Sequence, residues 1–350
     1  MQLPVELIQL ILENLGRPEI LTMRLLNILF CASATPIAFR ELGVADTVRS
    51  AQRFEGLQSN PHIASCVKSV VFRTILGAQF DMLALITVRR AMSRLSQLPQ
   101  LSSLRFEFHP TFDEQIPDFT DDKASPRLKR QRAVLTAACS APLPMLKSLT
   151  LINLMTLPSE LFTSDAFEAL LRPLDTLSIE TLGPRYYSGG VREGQPIAKF
   201  WTQMTTSIST LHLRSSHLIS LSPKLIFPSS SFPNLTTLHL TKVCCSRDTV
   251  EFILRHPGLR ELALQNCPLD PHIKSGDYYT SWVTILEMLD AGLESLVQIS
   301  IFDLKYCLWS GIVASTSGDT FGLDAVLDQR ALEKWTGNVA LRRGAGNSRE

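Results

Sequence analysis

The sequence is short of most features that announce a chemistry. It has no excess of one charge: Lys and Arg total 34 against 33 Asp and Glu, a formal net charge of +1 over 350 residues. So even a balance gives no electrostatic case for nucleic acid or an anionic membrane as the main partner. It has no long apolar run, because charges break every such stretch well before the ~20 residues a bilayer span needs. The first apolar segment, Leu3 to Leu15, contains Glu6 and Glu13 and lacks the basic lead-in of a secretory leader. A cytoplasmic or nuclear location is the expectation. Cysteine is present but without a framework: Cys31, Cys66, Cys139, Cys244, Cys245, Cys267 and Cys307 are odd in number and irregular in spacing. Buried free thiols are expected rather than disulfides, and adjacent Cys244 and Cys245 are poorly placed to share one metal. Metal-protease, nucleophile-elbow, phosphate-loop and dinucleotide motifs are all missing, so no catalysis, cofactor or metal is expected.

What is there begins at the N-terminus. Leu3-Pro4-Val5-Glu6-Leu7 reads as a helix start, with proline where an unpaired N–H is no loss. Leu7, Ile8, Ile11, Leu12 and Leu15 follow at spacings of three and four, and Gly16 is a plausible terminator. Arg17-Pro18-Glu19 restarts a helix carrying Ile20, Leu21, Leu25, Leu26, Ile28 and Leu29. Thr35-Pro36 reads as a third start, before Ile37, Phe39 and Leu42. Three short helices in about forty residues seldom bury enough surface to stand alone. Their apolar side chains exceed one stripe, which implies cover from the rest of the chain or from another protein.

These residues resemble an F-box: Leu3-Pro4-Val5-Glu6-Leu7-Ile8, Ile11, Leu15, Leu21, Leu25 and Phe30, then Ala34-Thr35-Pro36 with Phe39 and Leu42, the last group similar to fungal F-box proteins. The resemblance covers residues 1–43 and departs from many F-boxes at Asn27-Ile28-Leu29-Phe30, where a basic pair before an aromatic residue is common. It implies docking on the Skp-type adaptor of a cullin–RING ubiquitin ligase, through Leu3, Pro4, Leu7, Ile8, Ile11, Leu15, Leu21 and Leu25.

Behind this module a pattern recurs: apolar, two variable, apolar, one variable, apolar. Copies start at Val67, Leu101, Leu146, Leu174, Ile208, Leu235, Leu259 and Leu296. This is the leucine-rich repeat signature, and Leu259, Leu262, Leu264, Cys267 and Leu269 fill all its fixed positions in one copy. Each strand's leucines can be buried only by stacking on neighbouring strands. Gaps of 20 or more residues suit crossovers between parallel strands, not hairpins. Within the gaps, Asp81–Leu98, Asp165–Leu171, Thr249–Leu254 and Trp282–Leu289 read as helices. Residues 109–132 pass from acidic to basic, and Tyr186-Tyr187-Ser188-Gly189-Gly190 reads as a loop.

The expected fold is therefore α/β: an F-box-like helical module over 1–43, a linker over 44–66, an irregular leucine-rich repeat solenoid with parallel strands over 67–304, and a C-terminal cap and disordered tail over 305–350. Leu323 to Trp335 is the expected capping helix and Arg342 to Glu350 the disordered tail. Residues between the inward leucines point outward and form two columns. One holds Arg105, Thr150, Ser178, His212, His239, Ala263 and Ser300; the next holds Arg73, Glu107, Ile152, Glu180, Arg214, Thr241, Gln265 and Phe302. His212 and His239 share a register position, about one strand spacing of ~4.8 Å apart. Neither column is a stripe of one sign, so a protein target fits this face better than a polyanion. Its candidate contacts are Arg105, Glu180, His212, Arg214, His239, Thr241 and Gln265. Two functional classes remain open: a ubiquitin-ligase substrate receptor, or a repeat scaffold whose first helices cap the array. An enzyme with an unrecognised site is a distant third.

Overall fold

The computed structural model describes residues 4–75, 81–111, 126–155, 160–182, 207–219, 232–270, 281–302, 304–308, 311–314 and 325–347. They form two compact units, the first made of 1–109 and 125–152, the second of 110–124 and 153–350. Both are mixed α/β with parallel strands.

The first unit opens with three helices, α1 (Val5–Glu13), α2 (Arg17–Met23) and α3 (Ile28–Ala38). Their boundaries differ from the sequence expectation. The second helix does not reach Leu29, because Asn27 takes the N-cap position of α3 and its side chain accepts the Phe30 N–H at 3.0 Å. Pro36 does not start a helix; it lies inside α3. There Thr35 Oγ1 donates back to Cys31 O at 2.6 Å.

The stretch expected as a linker is folded. It contains the end of β1 (Glu41–Ala45), then α4 (Val48–Gln58) and α5 (Pro61–Ala64). β1 pairs in parallel with β2 (Ser69–Arg73), which pairs with β3 (Ser103–Glu107), which pairs with β4 (Ser148–Met155). Phe39-Arg40-Glu41-Leu42-Gly43-Val44 is thus a further copy of the repeat pattern, absorbed by the F-box reading because that reading uses Phe39 and Leu42. In register, Leu42, Val70, Leu104 and Leu149 form one row and Val44, Phe72, Phe106 and Leu151 the next, all buried. Phe106 and Phe108 stack at 6.0 Å in this core. The helix α6 (Met82–Ser93) packs against α4 on one side and α7 (Pro126–Cys139) on the other.

The second unit repeats the scheme. β5 (Thr176–Leu182), β6 (Thr210–Ile219), β7 (Thr237–Val243), β8 (Glu261–Gln265) and β9 (Gln298–Phe302) pair consecutively in parallel. Helices α8 (Asp165–Leu171), α9 (Arg247–Leu254) and α10 (Trp282–Gly292) fall where periodicity places them. Each opens on a serine, Ser164, Ser246 or Ser281, whose side chain accepts a backbone N–H of the first turn. The second unit also contains a hairpin of β10 (Lys305–Leu308) and β11 (Gly311–Ala314), and the helix α11 (Ala325–Asn347).

Two features recur at fixed positions of the repeat. The carbonyls of Arg40, Lys68 and Ser102 in one unit, and of Asp175, Ser209, Thr236 and Arg260 in the other, each accept two consecutive N–H groups from the start of the next strand. Asn153, Lys242 and Asn266, each two residues beyond the last inward leucine, adopt φ of 57°, 57° and 52°. Asparagine tolerates this left-handed conformation better than most residues. Next to Asn266, Cys267 Sγ donates to Leu240 O at 3.3 Å, tying one repeat to the one before.

The C-terminal segment is not the expected cap followed by a disordered tail, since α11 continues through Arg342. That side chain bonds Leu293 O, Asp290 O and Asp290 Oδ1, the last at 2.6 Å. Trp335 and Val339 bury against the unit, and buried Asp328 accepts from Tyr306 Oη at 2.7 Å. The loop at Tyr186–Gly190 and the acidic half of the 109–132 segment lie outside the described residues, while Arg127 to Arg132 belong to α7. No helix among the described residues is long and apolar enough to cross a membrane.

Candidate interaction surfaces

The three N-terminal helices have a core of their own. Ile8, Leu12, Ile20, Ala34 and Ala38 are buried together, with Leu15, Met23, Phe30, Ile37 and Phe39 packed on them. Arg24 fastens α2 to α3: its Nε donates to Thr35 Oγ1 at 2.9 Å, and its guanidinium lies 4.6 Å over the Phe39 ring. Two of the expected docking residues lie in or against this core. Ile8 is 2% exposed and Leu15 is half-buried, so both serve the module's own packing. Leu3 lies outside the described residues. Pro4 is exposed at the start of α1, and Leu7, Ile11, Leu21 and Leu25 are exposed. The apolar surface extends beyond them to Val5, Leu10, Leu26, Ile28 and Leu29. Leu25 is 85% and Ile28 83% exposed. Burying a side chain of this size fully stabilises by about 1.5–3 kcal/mol. So many left open make this an exposed apolar patch and therefore a candidate interaction surface.

The second surface is the polar face of the strands in the second unit. His212 and His239 occupy paired register positions, and their rings stack at 4.3 Å with an interplanar angle of 4°. His239 Nε2 lies 2.9 Å from Glu261 Oε1, which also accepts from Gln298 Nε2 at 3.3 Å. A chain of contacts thus runs across four strands, stepping back two residues between His239 and Glu261. Burial holds the His212 imidazole below its ordinary pKa; the neighbouring His239 adds to this and Glu261 opposes it. The adjacent row places Glu180 3.9 Å from Arg214, and Thr241 Oγ1 donates to Gln265 Oε1 at 3.5 Å. Six of the seven expected target contacts therefore share one strand face. Arg105 is the exception, since it belongs to the first unit. There it and Arg73 both bind Glu107, at 2.6 and 2.5 Å. Burial alone would raise the Glu107 carboxyl, but these two guanidiniums outweigh it and hold it below the usual value.

Glu261 and Gln298 were missed from sequence. They stand two residues before the first column, on the same side of their strands by the period of two. That earlier position carried the signal that could have found them. Among the described residues, no group of three or more His, Cys, Asp or Glu is placed to hold a metal. The thiols of Cys139 and Cys267 are pushed up to about 12 and about 11 by burial, which suits packing rather than nucleophilic chemistry.

No family model and no curated protein matches the chain. Among solved structures it is similar to the Toll–Spatzle complex of Drosophila, at 14% identity over 80% of this chain and 45% of that one, with a TM-score of 0.23. The chain thus spans less than half the length of that structure, and the likeness is too slight to carry a fold or a function.

Proposed function

We propose that the protein is a non-catalytic substrate receptor of a cullin–RING ubiquitin ligase. In this reading the N-terminal helices are an F-box that docks on a Skp-type adaptor. The strands form a leucine-rich repeat solenoid, and its polar face takes a protein target. The observation that carries the reading is the apolar surface from Val5 to Leu29, left open around a core the module completes by itself. A helical module that only capped the array would turn these side chains toward the repeats. The runner-up, a scaffold with a helical cap, draws support from the direct passage of α3 into β1, with Arg40 O already accepting from Lys68 and Ser69.

The two separate in a binding assay between the full chain and a purified Skp-type adaptor. Anchors at such interfaces cost about 2 kcal/mol or more on truncation, roughly thirtyfold in affinity. Leu25→Asp and Ile28→Asp should each weaken binding by at least that factor with the fold retained. Undiminished binding, or none by the parent chain, would leave the scaffold reading. On the receptor reading, replacing His212, Arg214 and His239 together with alanine removes target capture and spares the adaptor.

A further inference from the structure

The net charge of +1 conceals an uneven distribution. In the first unit α4, α6 and α7 lie side by side. Their solvent face carries Arg49 and Arg53 on α4, Arg89 and Arg90 on α6, and Arg94 at the end of α6. The carboxylates among these elements are already engaged. Asp46 pairs with Arg130, Glu55 grips Arg90 through Nε and Nη2 at 2.5 and 2.6 Å, and Asp81 caps α6 through the Leu83 N–H. Arg49, Arg53 and Arg89 have no ion-pair partner among the described residues.

Beside these cations Met82, Leu83 and Ile86 point to solvent on α6, 57%, 60% and 55% exposed. The Glu55–Arg90 pair and the Gln58 bond to Ala91 O at 3.0 Å set α4 against α6. That register brings Arg49 and Arg53 level with the turns holding Leu83 and Ile86. The helices α8, α9 and α10 of the second unit carry the opposite balance, with Asp165, Glu168, Asp248, Glu251, Glu287 and Asp290.

Unpaired guanidiniums around open aliphatic side chains match a surface that is anionic at its rim and apolar just beneath. A nucleic acid satisfies only half of this, since its bases want aromatic platforms and its phosphates gain nothing from leucine. We propose that this face docks on an anionic lipid bilayer. The guanidiniums meet headgroup phosphates and carboxylates, and Met82, Leu83 and Ile86 enter the acyl boundary. The inference uses none of the side chains assigned to the adaptor and does not depend on that assignment.

The test is co-sedimentation of the full chain with vesicles of phosphatidylcholine alone or enriched in phosphatidylserine. Binding should appear only with phosphatidylserine and weaken as salt shortens the Debye length. Each neutralised arginine should cost about fivefold, so Arg49→Gln, Arg53→Gln and Arg89→Gln together should cost roughly 100-fold. Leu83→Ser with Ile86→Ser should lose about tenfold or more. These residues are exposed, and circular dichroism checks that each variant keeps its fold. Equal binding to both vesicles, or no binding at low salt, overturns the proposal. So does a Leu83/Ile86 variant that binds like the parent, or duplex DNA that displaces the vesicles from that variant and the parent alike, since either outcome marks a plain polyanion surface.

Discussion

The N-terminal helices and the strands behind them are built from the same aliphatic residues, with opposite outcomes. Leu177, Leu211, Leu238 and Leu262 are fully buried, while Leu25 is 85% exposed. Hydrophobicity alone does not separate them. What separates them is neighbours. Each strand leucine has an equivalent residue on either side in register, so every added repeat covers the one before it. The helical module has no such neighbour, and once Ile8, Leu12, Ile20, Ala34 and Ala38 are packed the remaining apolar side chains have nowhere to go. Burial of the strand leucines is thus a property of stacking, which the helices before them lack.

The sharpest way to break that comparison is to truncate one leucine from each region. Leu211→Ala should destabilise by about 2.7–5 kcal/mol, the range for a buried leucine whose site cannot collapse. Leu25→Ala should stay within about 0.5 kcal/mol, as an exposed side chain does. Urea denaturation of both variants reads the difference directly. Comparable losses would mean that the module is covered by the rest of the chain after all.

A slightly smaller effect locates the boundary between the two regions. Asp46 sits just past β1, is 5% exposed, pairs with Arg130 and accepts the Ile75 N–H at 2.8 Å. Asp46→Ala should cost about 3 kcal/mol, because it breaks a largely buried ion pair. Gln52→Ala, on the exposed side of α4, should cost almost nothing. If both were neutral in thermal denaturation, residues 44–66 would behave as the linker expected from sequence rather than as part of the first repeat.

The array was legible from sequence because a repeat multiplies a weak signal. Six residues such as Leu259-Arg260-Glu261-Leu262-Ala263-Leu264 mean little once, but eight copies locate eight strands and their registers. The copy at Phe39–Val44 was hidden because two of its apolar residues already served the F-box resemblance. The polar column was equally legible, since register alone brings His212 onto His239. The exposed helical face was not. Which side of α1 is buried depends on how α1, α2 and α3 lean on one another, and no periodicity distinguishes Ile8, in the core, from Ile11, in solvent. Arg342 was misread for a similar reason: its polar neighbours suggest disorder, and only Asp290, far away in sequence, explains why the helix continues.

The smallest effect concerns the outward side of those same strands. His212 is held below the ordinary imidazole range first by burial and then by His239, stacked at 4.3 Å. Its folded pKa therefore lies below the unfolded value of about 6.5. Between the two values the unfolded chain binds more protons than the folded one, so stability falls as the pH drops through that window. Above the unfolded value His212 contributes its full share. Two substitutions separate the causes. His239→Gln removes the like-charged neighbour and should bring His212 back toward its ordinary range. Glu261→Gln removes the opposing carboxylate and should push it lower still. Following the His212 ring resonance by NMR across a pH titration checks both. If burial were the only cause, neither substitution would move the curve. The stacked pair would then be a packing feature rather than an electrostatic one.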